Sequence, residues 1–222
     1  MGVRSRALCL LTCLALLVQT VPVTLHAKEC SKQGQTKTVA LTFDDGPHPK
    51  YTEQILELLD KYSVKATFFV IGFNAVQWPS IVQKEIEKGH EVGNHTYYHK
   101  HDNAVNKEKL KEDMEMTESL LCGKFGYKTE IFRPPEGFCT DVVKSVASDM
   151  DYSIVLWDVD TRDWENTSAE KIISTVKREV KSGDIILFHD YVVGKSHTLE
   201  ALEVLIPWLK DQGYTFVTVS ER

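Results

Sequence analysis

Thr42-Phe43-Asp44-Asp45-Gly46-Pro47 sets two carboxylates side by side where the apolar run Thr38-Val39-Ala40-Leu41 gives way to a Gly-Pro pair. The run is rich enough in β-formers to read as a buried strand, and Gly46-Pro47 ends it in a turn. Successive strand side chains point to opposite faces, so one acid can grip a ligand while its neighbour does different work. Alone, the stretch is an ordinary polar junction, because Asp and Gly are common turn residues. Four further clusters change that reading. Asn94-His95-Thr96-Tyr97-Tyr98-His99 follows Glu91-Val92-Gly93, and Arg133-Pro134-Pro135-Glu136-Gly137 follows Ile131-Phe132. Asp160-Thr161-Arg162-Asp163-Trp164 follows Ile154-Val155-Leu156-Trp157, and Leu187-Phe188-His189-Asp190 closes Asp184-Ile185-Ile186-Leu187. Each cluster stands at the carboxyl end of a candidate strand. A parallel β/α barrel brings those ends to one face, which is where such barrels place their chemistry.

The rest of the chain fits that frame. Ile55, Leu58 and Leu59 form an apolar stripe at helical spacing over residues 51–62. Residues 66–71 read as a second strand, a helix runs from Pro79 to Gly89, and residues 90–94 form a third strand. Residues 103–121 read as a solvated helix. Strands near 130–133, 153–157, 184–188 and 215–219 then alternate with helices near 140–149, 168–180 and 198–211. About seven units result, so the expected fold is α/β, a distorted (β/α)7 TIM-like barrel in a single domain. The same alternation is compatible with an open doubly wound sheet.

At 222 residues and a formal charge of -6, the chain is long enough for one sizeable core and too acidic to favour a nucleic-acid partner. Arg4 and Arg6 precede the apolar run Ala7 to Val18, which is short of the roughly 20 residues a membrane span needs. Residues 1–27 therefore read as a secretory signal peptide, 28–37 as a short leader and 38–222 as the folded domain, with no stable membrane anchor. Cys9 and Cys13 fall inside the signal. Cys30, Cys122 and Cys139 remain, an odd number, and an oxidising compartment would favour one disulfide whose pairing the sequence leaves open.

His95 and His99 lie four apart, on one helical turn or on a tight loop, and either geometry aims two nitrogens at one ion. With a carboxylate from another strand they suit a catalytic zinc, which takes about three protein ligands and keeps a position open for water. The five ordered motifs TFDDGP, HTYYH, RPPEG, DTRDW and LFHD resemble those of the polysaccharide deacetylases, the NodB-homology or carbohydrate esterase family 4 enzymes. The resemblance runs from about Thr38 to Val219. It implies that Asp45, His95 and His99 hold one divalent metal ion, zinc by preference with cobalt as an alternative, and that Asp44 is the general base. It further implies that Arg133 pairs with Asp44, that His189 is the general acid protonating the sugar amine, and that Asp160 orients His189 and raises its pKa. Trp164 and Leu187 are expected to wall the pocket around the acetyl methyl, although ordinary core packing also accounts for both. Asp163 reads as structural. A backbone N–H after Arg133-Pro134-Pro135 is implied as the oxyanion donor. Here that residue is Glu136, where the family usually has Tyr, which puts substrate preference in doubt.

The expected function is a secreted, metal-dependent hydrolase that removes N-acetyl groups from N-acetylglucosamine units of chitin or chito-oligosaccharides. Peptidoglycan or acetylxylan deacetylation, or a catalytically silent carbohydrate-binding relative, are the alternatives. The expected partner is an N-acetylglucosamine-containing polysaccharide or oligosaccharide. His48, His90, His101 and His197 match no ligand position, and Trp78 and Trp208 read as core residues of helical stripes.

Overall fold

A computed structural model of the chain describes residues 36–100 and 105–222, which leaves the expected signal peptide, Cys30 and His101 outside the described residues. Among the described residues, Cys122 and Cys139 are both free thiols.

Strands and helices alternate through the domain. They run β1 (Lys37–Asp44), α1 (Tyr51–Tyr62), β2 (Thr67–Val70), α2 (Gly72–Gln77), α3 (Pro79–Glu87), β3 (Glu91–Asn94), α4 (Lys107–Phe125) and β4 (Ile131–Phe132). There follow α5 (Asp141–Asp149), β5 (Ser153–Ile154), β6 (Val159–Asp160), α6 (Ala169–Glu179), β7 (Asp184–His189), α7 (Thr198–Asp211) and β8 (Tyr214–Phe216). All pairings are parallel, in the order β5-β4-β3-β2-β1-β7-β6. β8 joins the start of β1 (Val39↔Phe216), on a stretch below the one that pairs with β2. The sheet curls into the distorted (β/α)7 half-barrel that the alternation implies, not an open doubly wound sheet.

The pleat of β1 explains the layering. Val39, Leu41 and Phe43 face outward into the main apolar core, where Ile55 and Leu59 of α1 and Leu202 and Ile206 of α7 cover them. Ala40 packs inside the barrel with Phe69, Ile131, Val155 and Ile185. Thr42 and Asp44 share its phase, so β1 feeds its first carboxylate into the barrel mouth.

Three local features depart from the sequence reading. The segment expected as a strand over 153–157 keeps only two ladder residues, and β6, a separate short strand, pairs with β7 instead. Helix α4 starts later than expected, where the Asn106 side chain accepts the Lys109 N–H at 2.9 Å, and ends at Gly126, whose φ of 62° an L side chain resists. Helix α2 was not legible at all: Gly72 and Phe73 donate their N–H groups to the Thr96 and Tyr97 carbonyls (both 3.0 Å), so a long-range contact fixes its first turn.

Candidate active site

Every chemistry-bearing cluster lies at the carboxyl end of a strand, and the register shows how they meet. Asp44 pairs directly with His189 across β1 and β7 and with Phe69 across β1 and β2. Asn94 pairs with Phe132, which carries Arg133 to the same level. A cavity of about 400 Å³ opens there, lined by Asp44, Asp45, His95, His99, Glu136, Trp157, Asp160, Trp164, Leu187 and His189.

Asp45 leaves the strand with a φ of 74°, in the left-handed region. Thr96 (63°), His99 (53°) and Glu136 (55°) are left-handed too. Such conformations cost non-glycine residues on the order of 1–3 kcal/mol each, and they gather here because the site turns side chains back towards one point. Gly46 makes the first of these turns possible. A Cβ at that position would lie 2.1 Å from the buried Asp190 carboxylate, which is itself held by the Thr52 hydroxyl at 2.6 Å.

The HTYYH stretch is a tight loop, the second of the two geometries open to it. Asn94 Oδ1 accepts the Thr96 N–H at 2.8 Å, and Thr96 Oγ1 accepts the His99 N–H at 3.1 Å. These local bonds compete with helix formation and aim both rings inward. Asp45, His95 and His99 form a group whose ligand atoms all lie within 4.8 Å of one another. His95 Nδ1 sits 2.7 Å from the Arg133 carbonyl oxygen, which can only accept. The ring hydrogen therefore belongs on Nδ1, and in the neutral ring Nε2 presents a lone pair towards Asp45 Oδ1 at 3.3 Å. His99 Nε2 lies at the same distance from the same oxygen, which is buried and has no hydrogen-bond partner. Acceptors facing one another around an orphaned carboxylate oxygen fit a cation. Burial raises the Asp45 pKa, but His95 beside it and the charges of His189 and His99 bring it down to about 2. Burial works against a proton on His95, yet Asp44 and then Asp45 hold its pKa up, while burial and His95 depress His99.

Arg133 is fully buried and holds Asp44 in place. Its Nη1 donates to Asp44 Oδ1 and to Thr42 Oγ1, both at 2.8 Å. Its Nε and Nη2 donate to the carbonyls of Val155 (3.2 Å) and Leu156 (3.1 Å), where β5 has left the ladder and β6 has not begun. Phe69 lies under the guanidinium, 4.1 Å from ring centroid to Cζ. One side chain thus closes a gap in the sheet and positions Asp44.

On the opposite wall, His189 Nδ1 lies 2.8 Å from Asp163 Oδ1. The other Asp163 oxygen accepts the His189 N–H (2.9 Å) and the Thr198 hydroxyl (2.6 Å), and this carboxylate is completely buried. Burial lowers the His189 pKa, but Asp163 outweighs it and pushes the value up to about 9. The orienting carboxylate is therefore Asp163, in place of the Asp160 expected from the motif order. Asp160 lines the cavity and turns its Oδ1 to the Arg162 N–H at 2.9 Å. The cause is Arg162, whose left-handed φ of 52° reverses the chain and swings Asp163 inward. Nothing in the sequence announces that reversal.

Leu187 is buried and Trp164 is half-exposed, and both line the cavity as expected. Trp157 does so as well and was missed, because its neighbours read as strand; its ring covers Gly137. Glu136 stands exposed at the rim. Pro134 and Pro135 carry no N–H, and the N–H groups of Gly137 and Phe138 are spent on the Pro134 and Pro135 carbonyls (3.0 and 3.2 Å). The main-chain donor that the family resemblance implies for the oxyanion is the N–H of Glu136.

Comparison with known proteins gives the class. A model of the polysaccharide deacetylase family matches residues 31–155, more than half of the chain, and the chain belongs to that family. The peptidoglycan-N-acetylglucosamine deacetylase of Bacillus cereus is 44% identical over 187 residues, covering 83% of this chain and 87% of that protein. The structure of the peptidoglycan deacetylase PdaC from Bacillus subtilis matches with a TM-score of 0.77 at 35% identity, over 84% of this chain and 89% of that one. The Bacillus anthracis protein BA3943, described as a pseudoenzyme of carbohydrate esterase family 4, matches with a TM-score of 0.77 at 31% identity, over 84% of this chain and 65% of that one.

Proposed function

We propose that the chain hydrolyses the N-acetyl group of N-acetylglucosamine units in peptidoglycan glycan strands. The observation that carries the reaction type is the placing of Asp44, fixed by Arg133 at 2.8 Å, beside the Asp45-His95-His99 group and in direct register with His189. The substrate rests on the relatives described above. They favour peptidoglycan over the chitin-type chains that the sequence alone suggests. The apolar run Ala7 to Val18 supports export, which would bring the chain to a cell-wall polymer.

Asp45, His95 and His99 would hold one divalent cation, and their two nitrogens and one oxygen suit zinc, with cobalt acceptable. When bound, the ion supplies Lewis acidity, which lowers the pKa of water and eases negative charge on the acetyl carbonyl oxygen. Asp44 accepts a proton from the attacking water as its oxygen bonds to the carbonyl carbon. By family resemblance the Glu136 N–H would donate to the oxyanion that forms. His189, kept protonated at neutral pH by Asp163, delivers its Nε2 proton to the sugar nitrogen as the C–N bond breaks. Acetate and a sugar amine leave. Leu187 and Trp164 shape the space beside the acetyl methyl.

Acetate release from purified glycan strands, chito-oligosaccharides and acetylxylan tests this reading. Glycan strands should react fastest, a chelator should abolish release, and added zinc should restore it. Saccharide binding with no release under any metal would instead identify a silent relative.

A further inference from the structure

The two imidazoles that face Asp45 are not held alike. His95 follows directly on β3 and donates its N–H to the Val70 carbonyl of β2 at 3.1 Å, while its ring meets the Arg133 carbonyl at 2.7 Å. His99 stands further along, past Asn94, the last residue of β3, and beyond two tyrosines. Its backbone is left-handed, as is that of Thr96, and its own N–H goes to Thr96 Oγ1 of the same loop at 3.1 Å. A bond within a loop fixes the loop's shape but not where it lies.

One turn of α4 supplies that placement. The Met114 carbonyl accepts the Asn94 side-chain N–H at 3.0 Å, and Asn94 Oδ1 in turn accepts the Thr96 N–H. Asp113, the residue before Met114, turns its carboxylate to the far end of the loop. Its two oxygens share the Tyr98 N–H, at 3.2 and 3.4 Å. Asn94 and Tyr98 immediately precede His95 and His99, so adjacent residues of one helix pin the backbone ahead of each imidazole. The helix is a firm base, because Leu110 and Met114 are buried in a cluster with Phe132, Val143 and Val146. On that face Asp113 is only 4% exposed, and a carboxylate is costly there unless donors surround it. Burial raises its pKa, and the Tyr98 N–H, the Thr96 hydroxyl and the Tyr97 N–H, with the charge of Lys100, oppose that rise. The carboxylate thus faces donors from three successive loop residues, and none of the catalytic steps above uses it.

We infer that Asp113 is a positioning residue for the cation site, its carboxylate setting where His99 Nε2 stands relative to Asp45 and His95. The inference rests on reading those three residues as a cation site. It goes beyond that reading by placing part of the site's affinity on a helix that supplies no ligand. A group that acts through one ligand matters only while that ligand is present.

Zinc affinity of the full chain, measured by competition with a chromophoric chelator, tests it. Asp113→Ala should weaken zinc binding about tenfold, and His99→Ala should weaken it more strongly still. In the His99→Ala background, Asp113→Ala should add less than about a twofold loss, because the residue it positions is gone. A residue that merely stabilises the fold would lower the metal-free thermal midpoint and cost zinc affinity nothing, or the same in both backgrounds. Should Asp113→Ala fail to fold, Asp113→Asn, which keeps the shape and one acceptor oxygen, carries the same test with a loss of about threefold. Wild-type zinc affinity in the Asp113 variant, or an equal loss with and without His99, would overturn the positioning role and leave the cation site standing. A wild type that binds no zinc would overturn the cation site and this inference with it.

Discussion

Two histidines line the cavity, His95 buried and His189 partly exposed, and what each meets at Nδ1 sets them apart. His95 meets the Arg133 carbonyl, which takes its ring hydrogen and leaves a lone pair on Nε2 for a cation. His189 meets the Asp163 carboxylate, whose charge pushes its pKa up to about 9 and keeps Nε2 protonated. In this site the proposed ligand has a neutral acceptor at Nδ1 and the proposed acid an anionic one. The adjacent carboxylates differ in the same manner. Asp44 is tied to a guanidinium at 2.8 Å, while Asp45 turns an unpartnered oxygen to the two imidazoles.

The largest effect that would sharpen this contrast belongs to Arg133, which holds Asp44 with its side chain and His95 with its carbonyl. Arg133→Lys should destabilise the domain by about 3–5 kcal/mol, because a single ammonium cannot reach Asp44 and the Val155 and Leu156 carbonyls together. Chemical denaturation would measure it. Next comes Asp163→Asn, which should reduce acetate release by about 10–100-fold and move the alkaline fall in rate to lower pH. The sign follows from the direction of the shift. In the proposed reaction His189 acts as the acid in its protonated form, and losing the carboxylate returns its pKa towards the ordinary 6.5.

The same shift bears on stability. A pKa raised to about 9 in the folded, metal-free chain gives stabilisation that is complete below about 6.5 and lost as pH rises through 9. The thermal midpoint of the metal-free wild type should fall across that window, and Asp163→Asn should flatten the fall. The smallest effect belongs to Asp160→Asn. With its Oδ1 on the Arg162 N–H, this residue has no hold on His189, so the alkaline limb of the pH–rate profile should stay in place. A shift as large as that of Asp163→Asn would return the orienting role to Asp160.

The strand ends were legible because parallel β/α packing leaves a strong mark: apolar runs that stop at reactive residues. Asp44, Asp45, His95, Arg133 and His189 all stand within a residue or two of such a stop, and register alone carries them to one level. Features that depend on backbone reversal were not legible. The left-handed Arg162 exchanges Asp160 for Asp163, and Trp157 faces the cavity only because β5 ends early. Helix α2 owes its start to carbonyls more than twenty residues away, and no local pattern encodes that.

Metal content measured beside acetate release, in Asp44→Asn and Asp45→Asn prepared alike, bears most directly on the division of labour at this site. Asp44→Asn should keep about one equivalent of zinc and lose about 10²–10⁴-fold in rate, whereas Asp45→Asn should lose the metal itself. Zinc missing from Asp44→Asn, or retained at full occupancy by Asp45→Asn, would contradict the assignment of base and ligand.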